Sequence, residues 1–144
     1  MSIKSIAAKI FAKKIHKKTL KWASNPVETQ QKVFQDLILQ AENTQFGKDH
    51  NFAQIKSFQA FAKQVPIRDY EDLKPYVDKV VKGEENILWK GKPLYFAKTS
   101  GTTSGAKYIP LTKESMPTHI EAARTAILLY IHETKKSADR KSVV

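Results

Sequence analysis

The sequence predicts a helix-rich chain with only two or three short strands, and three observations carry that reading. Apolar residues recur at helical spacing through most of the 144 residues. Capping residues, prolines and glycines punctuate those stretches at their ends. Extended aromatic and β-branched text is confined to the two sides of a single Gly/Ser/Thr loop at 99–107.

The elements follow in order. Residues 2–22 form a first helix, with Ile3, Ile6, Ala7 and Ile10 on one face and Lys9 and Lys13 opposite. Lys14, Lys17 and Lys21 then return to the apolar sector, so a short docking face is expected, followed by a solvated one. A membrane-surface helix needs a clean stripe throughout. Asn25 can cap a second helix, Pro26 fits its first position and Glu28 completes a capping box. Val27, Phe34, Leu37, Ile38 and Ala41 make its core-facing stripe, and Gly47 lies beyond its end. Ser57 caps a short helix carrying Phe58, Phe61 and Ala62, which Pro66 stops.

Asp69 with Asp72 opens a further helix, which Pro75 is expected to break or restart. Val77, Val80 and Val81 pack, and Gly83 ends it. Residues 84–93 are turn-rich, 94–97 are an aromatic strand candidate and 108–111 resume an extended path. Thr112 caps a long final helix with Ile120, Ala123, Ile127, Leu128 and Ile131 on its buried side. The strands are too few to make a sheet of their own. The apolar helix faces need partners that these elements do not supply, which suggests part of a larger domain.

Composition narrows the function classes. Hydrophobic residues are 41% and charged residues 27%, enough for a packed core and unlike a disordered chain. The absence of cysteine excludes disulfides and cysteine-ligated metals, and it is consistent with a reducing, cytoplasmic setting. No apolar run reaches the roughly 20 residues of a membrane span, so no transmembrane segment is expected. The net charge is +11, but residues 1–21 hold seven lysines and no acid. That is a basic arm on an ordinary domain, and no nucleic-acid partner is expected.

The chemically specific segment is Thr99-Ser100-Gly101-Thr102-Thr103-Ser104-Gly105-Ala106-Lys107. Its glycines permit positive φ and close backbone approach. Its hydroxyls and successive N–H groups can line an anion-binding concavity. Lys107 adds a cation. A Walker loop places four residues between its glycines and follows them with Lys-Ser/Thr. Here three residues separate Gly101 from Gly105, Ala106 intervenes and Tyr108 follows the lysine. No Gly-x-Gly occurs, so the dinucleotide fingerprint is excluded too.

The run from Thr99 to Thr112 resembles the phosphate-binding signature of adenylate-forming enzymes, the superfamily of acyl-CoA synthetases and firefly luciferase. Its continuation Lys107-Tyr108-Ile109-Pro110-Leu111-Thr112 is similar to the auxin-responsive promoter family of acyl-acid amido synthetases, in a bacterial form. Thr44-Gln45-Phe46-Gly47 with Asp49 to Phe52, Val65-Pro66-Ile67 with Tyr70-Glu71-Asp72-Leu73, and Gly83-Glu84 agree with it in order. The resemblance covers residues 20–135. One spacing departs: only Ala106 stands between Gly105 and Lys107, where plant members usually have two residues.

The resemblance implies an α/β fold, the N-terminal part of a large adenylate-forming domain. Residues 1–22 are a basic N-terminal helix, 23–137 the N-terminal portion of the adenylating domain, and 138–144 a non-native tail without family counterpart. It implies an ATP-dependent ligase that adenylates a carboxylic acid and passes the acyl group to an amine such as an amino acid. ATP with magnesium is the expected cosubstrate. Ser100, Gly101, Thr102, Thr103, Ser104, Gly105 and Lys107 are the expected ATP- and pyrophosphate-binding residues, with no complete catalytic set and no protein metal ligand. The chain alone is expected to be inactive. An acyl-CoA-type adenylating ligase and a basic nucleic-acid- or membrane-binding module are the alternatives.

His16, His50, His119 and His132 show no metal-ligand spacing and read as surface or local hydrogen-bonding groups. Asp69, Glu71 and Asp72 read as helix-start carboxylates. Trp22, Trp89, Tyr95 and Phe96 read as core aromatics.

Overall fold

A computed structural model describes residues 3–101 and 105–136. In order it contains α1 (Ile3–Ala23), α2 (Pro26–Ala41), α3 (Gln45–Asp49), a 3-10 turn (Phe52–Gln54), α4 (Phe58–Gln64), α5 (Tyr70–Val81), β1 (Tyr95–Lys98), β2 (Tyr108–Leu111) and α6 (Ser115–Thr134). The helix-rich α/β expectation holds among the described residues. The two strands form one antiparallel hairpin in which Tyr95 pairs with Leu111 and Lys98 with Tyr108. The chain divides into two compact units, 1–29 with 116–144, and 30–115. No described helix is long and apolar enough to cross a membrane.

The core of the 30–115 unit is built on Ile38, Ala41, Phe52 and Ile55, with Phe34, Phe46, Phe61, Val65 and Trp89 packed around them. The aromatic rings meet edge to face, Phe34 on Phe61 at 5.7 Å and Phe46 on Phe52 at 5.9 Å between centroids. The turn into α3 is the tightest polar point. Thr44 is 1% exposed; its hydroxyl donates to the Ala41 carbonyl at 2.6 Å and accepts from the Gly47 N–H at 3.0 Å. The 84–93 turn region completes that helix start. The Gln45 N–H donates to the Asn86 carbonyl at 2.7 Å, and the Phe46 N–H to the Ile87 carbonyl at 3.0 Å. Two N–H groups that a helix start leaves unsatisfied are thereby paired.

Several helix ends follow the sequence signals. Pro26 is the first residue of α2. Ser57 caps α4 by accepting the Ala60 N–H, and Asp69 caps α5 by accepting the Asp72 N–H at 3.0 Å. Gly83 closes α5 at φ +92°; its N–H reaches the Val80 carbonyl, and the Glu84 N–H reaches the Lys79 carbonyl at 3.1 Å. That pairing satisfies the last carbonyls of the helix.

Other expectations are corrected. Pro75 neither breaks nor restarts α5, which runs through it from Tyr70 to Val81. The proline removes one N–H donor, while the Asp69 cap and the burial of Val77 and Val80 hold the helix on either side. Gly47 does lie beyond the end of α2 at Ala41, but not in a loop. It is buried inside α3, where a β-carbon would lie 2.1 Å from the Ala41 carbonyl oxygen. Of the α2 stripe, Ile38 and Ala41 are buried and Phe34 packs on them, whereas Val27 and Leu37 are exposed. In α4, Phe61 and Ala60 pack while Phe58 is exposed.

In the other unit, α1 does not dock through Ile3, Ile6 and Ile10. Ile3 is 86% exposed, Ile6 and Ile10 are also exposed, and the buried residues are Ser5 and Ala12. On α6, Ile131 is buried but Ile120, Ala123 and Ile127 are exposed, so its apolar side meets solvent for most of its length. Trp22, Tyr95 and Phe96 are exposed rather than core, and Trp89 alone of the four packs inside.

Candidate phosphate-binding loop

The hairpin β1–β2 places the loop. Beyond the Lys98–Tyr108 pair, the Thr99 N–H donates to the Lys107 carbonyl at 3.0 Å, and the Lys107 N–H donates to the Thr99 hydroxyl at 3.2 Å. These two bonds close the neck. Inside it, Gly101 adopts φ +35° and Gly105 φ +83°, in the region where L side chains are strained. The two glycines also touch. A β-carbon on Gly101 would lie 2.0 Å from the Gly105 carbonyl oxygen and 2.8 Å from the Ala106 nitrogen. The loop therefore returns on itself at a point that only glycine fits.

Of the expected site residues, Ser100, Gly101, Gly105 and Lys107 are described and lie together around this neck. Thr102, Thr103 and Ser104 lie outside the described residues, as does the expected tail 138–144. The span 98–107 holds two lysines and no acid, so its field is positive. The Lys107 ammonium lies 5.2 Å from the centre of the Tyr70 ring, and the Lys98 ammonium 5.9 Å from that of Tyr108. Both distances suit cation–π attraction. Beside the hairpin an enclosed space of about 20 Å³ is lined by Val80, Ile87, Trp89, Pro93, Pro110 and Thr112. It holds about one water molecule, not a substrate.

Sequence reasoning did not assign Tyr70 or Thr99 to the site. Thr99 stands at the loop's edge, where hairpin closure would have marked it. Tyr70 lies 38 residues from the peptide it contacts, a pairing that no local pattern carries.

Of the histidines, His119 is exposed as expected, and His50 makes the expected local hydrogen bond but from a buried position. His50 is buried; its Nδ1 donates to the Phe46 carbonyl at 2.7 Å, and the Arg68 guanidinium donates to its Nε2 at 3.0 Å. Because a carbonyl only accepts and a guanidinium only donates, the ring proton sits on Nδ1. In the other unit, His16 and His132 stack at 4.0 Å with ring planes 19° apart, and His16 Nδ1 lies 3.8 Å from Glu133. The ligand atoms of these three lie within 4.8 Å of one another. Nearly parallel rings direct their lone pairs side by side rather than at a common point, so the arrangement is a stacked pair and not a formed coordination shell. Burial, then the neighbouring His16, pushes the His132 pKa below its ordinary value.

Comparison with known proteins identifies the family. The GH3 family N-terminal domain matches residues 15–143. The indole-3-acetic acid-amido synthetase GH3.15 of Arabidopsis thaliana is 32% identical over 112 residues, covering 76% of this chain and 19% of the relative. The probable indole-3-acetic acid-amido synthetase GH3.13 of Oryza sativa subsp. japonica is 39% identical over 59 residues, 40% of this chain and 13% of the relative. The 4-substituted benzoates-glutamate ligase GH3.12 of Arabidopsis thaliana is 46% identical over 48 residues, 33% of this chain and 8% of the relative. The chain thus spans less than a fifth of the length of the curated relatives it matches. Since the family's N-terminal domain matches most of its residues, the chain belongs to the GH3 family.

Proposed function

We propose that this chain carries the phosphate-binding loop of an ATP-dependent acid–amine ligase. The substrate carboxylate attacks the α-phosphorus of Mg–ATP, the bond to the β-phosphate oxygen breaks, and pyrophosphate leaves. The amine of an acceptor such as an amino acid then attacks the acyl carbon of the mixed anhydride. AMP departs with the bonding electrons, and the nitrogen loses a proton. A carboxylate cannot expel oxide, but its adenylate can expel AMP. The carboxylic acid and the amine are the small-molecule partners, and a cytoplasmic setting suits an ATP-dependent step.

The single observation that carries this reading is the pinched neck, in which Gly101 meets Gly105 and the backbone of Lys107 pairs with Thr99. Amide and hydroxyl donors with one cation suit the β- and γ-phosphates, where negative charge grows as pyrophosphate leaves. Magnesium is proposed to enter with the nucleotide. The names of the relatives, amido synthetases and a benzoates-glutamate ligase, support the reaction class.

The 144-residue chain is proposed not to complete the reaction, since it spans only 19% of GH3.15. Titration of Mg–ATP into the chain, followed through backbone amide resonances, tests the reading. Saturable shifts at Ser100, Gly101, Gly105 and Lys107 are expected. Absence of shifts there contradicts the loop's phosphate role, and acyl-adenylate formed by the chain alone contradicts its inactivity.

A further inference from the structure

The geometry points to Tyr70 as a positioning residue for Lys107, a role that rests on the phosphate-loop reading and extends it. Tyr70 is the first residue of α5, directly after the Asp69 cap, so its backbone is fixed by the helix start. Its phenol reaches β2 in two ways at once. The hydroxyl oxygen accepts the Tyr108 N–H at 2.9 Å, and the ring face carries the Lys107 ammonium at 5.2 Å.

The Lys107–Tyr108 peptide explains why this contact is available. Its carbonyl oxygen faces β1 and accepts the Thr99 N–H at 3.0 Å. In a trans peptide the N–H points the opposite way. The Tyr108 N–H is therefore turned away from the hairpin, and the Tyr70 hydroxyl meets it there. The same peptide is held on both faces, by Thr99 from β1 and by Tyr70 from α5. The Lys107 N–H is held in addition by the Thr99 hydroxyl at 3.2 Å. With the backbone of Lys107 fixed at the loop's neck and its ammonium resting on an aromatic face, the cation is held in one place before any ligand arrives. Preorganisation of this kind removes the ordering cost of a long flexible side chain. A phosphate oxygen then draws the ammonium from the ring, since a full negative charge outcompetes a quadrupole.

Two substitutions separate the contacts. Tyr70→Phe keeps the ring and removes the hydroxyl; Tyr70→Leu removes both. In the wild-type chain the Lys107 side-chain protons near the ammonium are expected to be shifted upfield by the ring. That shift persists in Tyr70→Phe and is lost in Tyr70→Leu, while amide exchange at Tyr108 accelerates in both. Pyrophosphate affinity in Tyr70→Leu falls by roughly threefold to tenfold. The double variant Tyr70→Leu/Lys107→Ala binds no more weakly than Lys107→Ala alone, because Tyr70 acts through the lysine. An unshifted Lys107 in the wild-type chain, or additive losses in the double variant, overturns the assignment. If Tyr70→Leu does not fold, the exchange rate at Tyr108 in Tyr70→Phe decides: an unchanged rate overturns it. A wild-type chain that shows the ring shift but binds no pyrophosphate overturns the functional reading and the phosphate role of Tyr70 with it, while leaving the Tyr70–Lys107 contact intact.

Discussion

The carbonyl oxygen of Gly105 lies where a β-carbon on Gly101 would stand, at a separation of 2.0 Å. Two glycines separated by three residues in the chain are therefore also in contact across the neck of the loop. Their spacing is a requirement of the turn as well as a signature of a family. Gly105 itself has open space around it, and its glycine is called for by φ +83° alone.

This asymmetry predicts different losses. Gly101→Ala has to displace backbone and open the neck, whereas Gly105→Ala strains one φ angle and leaves the neck closed. Amide exchange at Thr99 and Lys107 reads the difference: faster in Gly101→Ala, close to wild type in Gly105→Ala.

Thr44→Val is expected to destabilise the fold by about 1–3 kcal/mol, because it leaves the buried Gly47 N–H without its acceptor. Chemical denaturation of the variant and the wild-type chain gives the value. A change below about 0.5 kcal/mol is what an exposed surface site would show.

Gly47→Ala is expected to cost about 1–3 kcal/mol through overpacking against the Ala41 carbonyl. Helix propensity alone predicts the opposite sign, a gain of about 1 kcal/mol for alanine over glycine within a helix. The direction of the shift in the denaturation midpoint decides between the two.

Stability should fall on acidification through the His16–His132 stack. The His132 pKa is lowered from its ordinary 6.5, first by burial and then by the positive charges of His16, Lys135 and Lys13, with Glu133 opposing. The folded state then binds fewer protons than the unfolded state at mildly acidic pH. Its stabilising share is complete above pH 6.5 and declines as pH falls through 6.5 toward the lowered folded value. His132→Gln should flatten that decline, as read by thermal unfolding across the range. An unaltered pH profile in His132→Gln assigns the decline to other groups.

What could be read from the sequence was mostly local. Ser57, Asp69 and Gly83 act on groups within a few residues, and each stands where its chemistry placed it. The faces of α1 and α6 were not legible, because burial depends on the partner and not on the stripe. Ala12 is buried while Ile3 is exposed. Gly47 carried a glycine signal whose cause, the approach of α3 to the end of α2, is tertiary. At the site, the loop was visible from its glycines and hydroxyls. The anchoring of Lys107 by Tyr70 and the stacking of His16 on His132 join residues far apart in the chain, and no spacing rule reports them.

The most direct measurement is calorimetric titration of pyrophosphate into the 144-residue chain and into its Gly101→Ala variant, with both shown to be folded. The account predicts saturable binding by the wild-type chain and a loss of about tenfold or more in affinity on Gly101→Ala. No binding by the folded wild-type chain, or equal binding by the two, would contradict it.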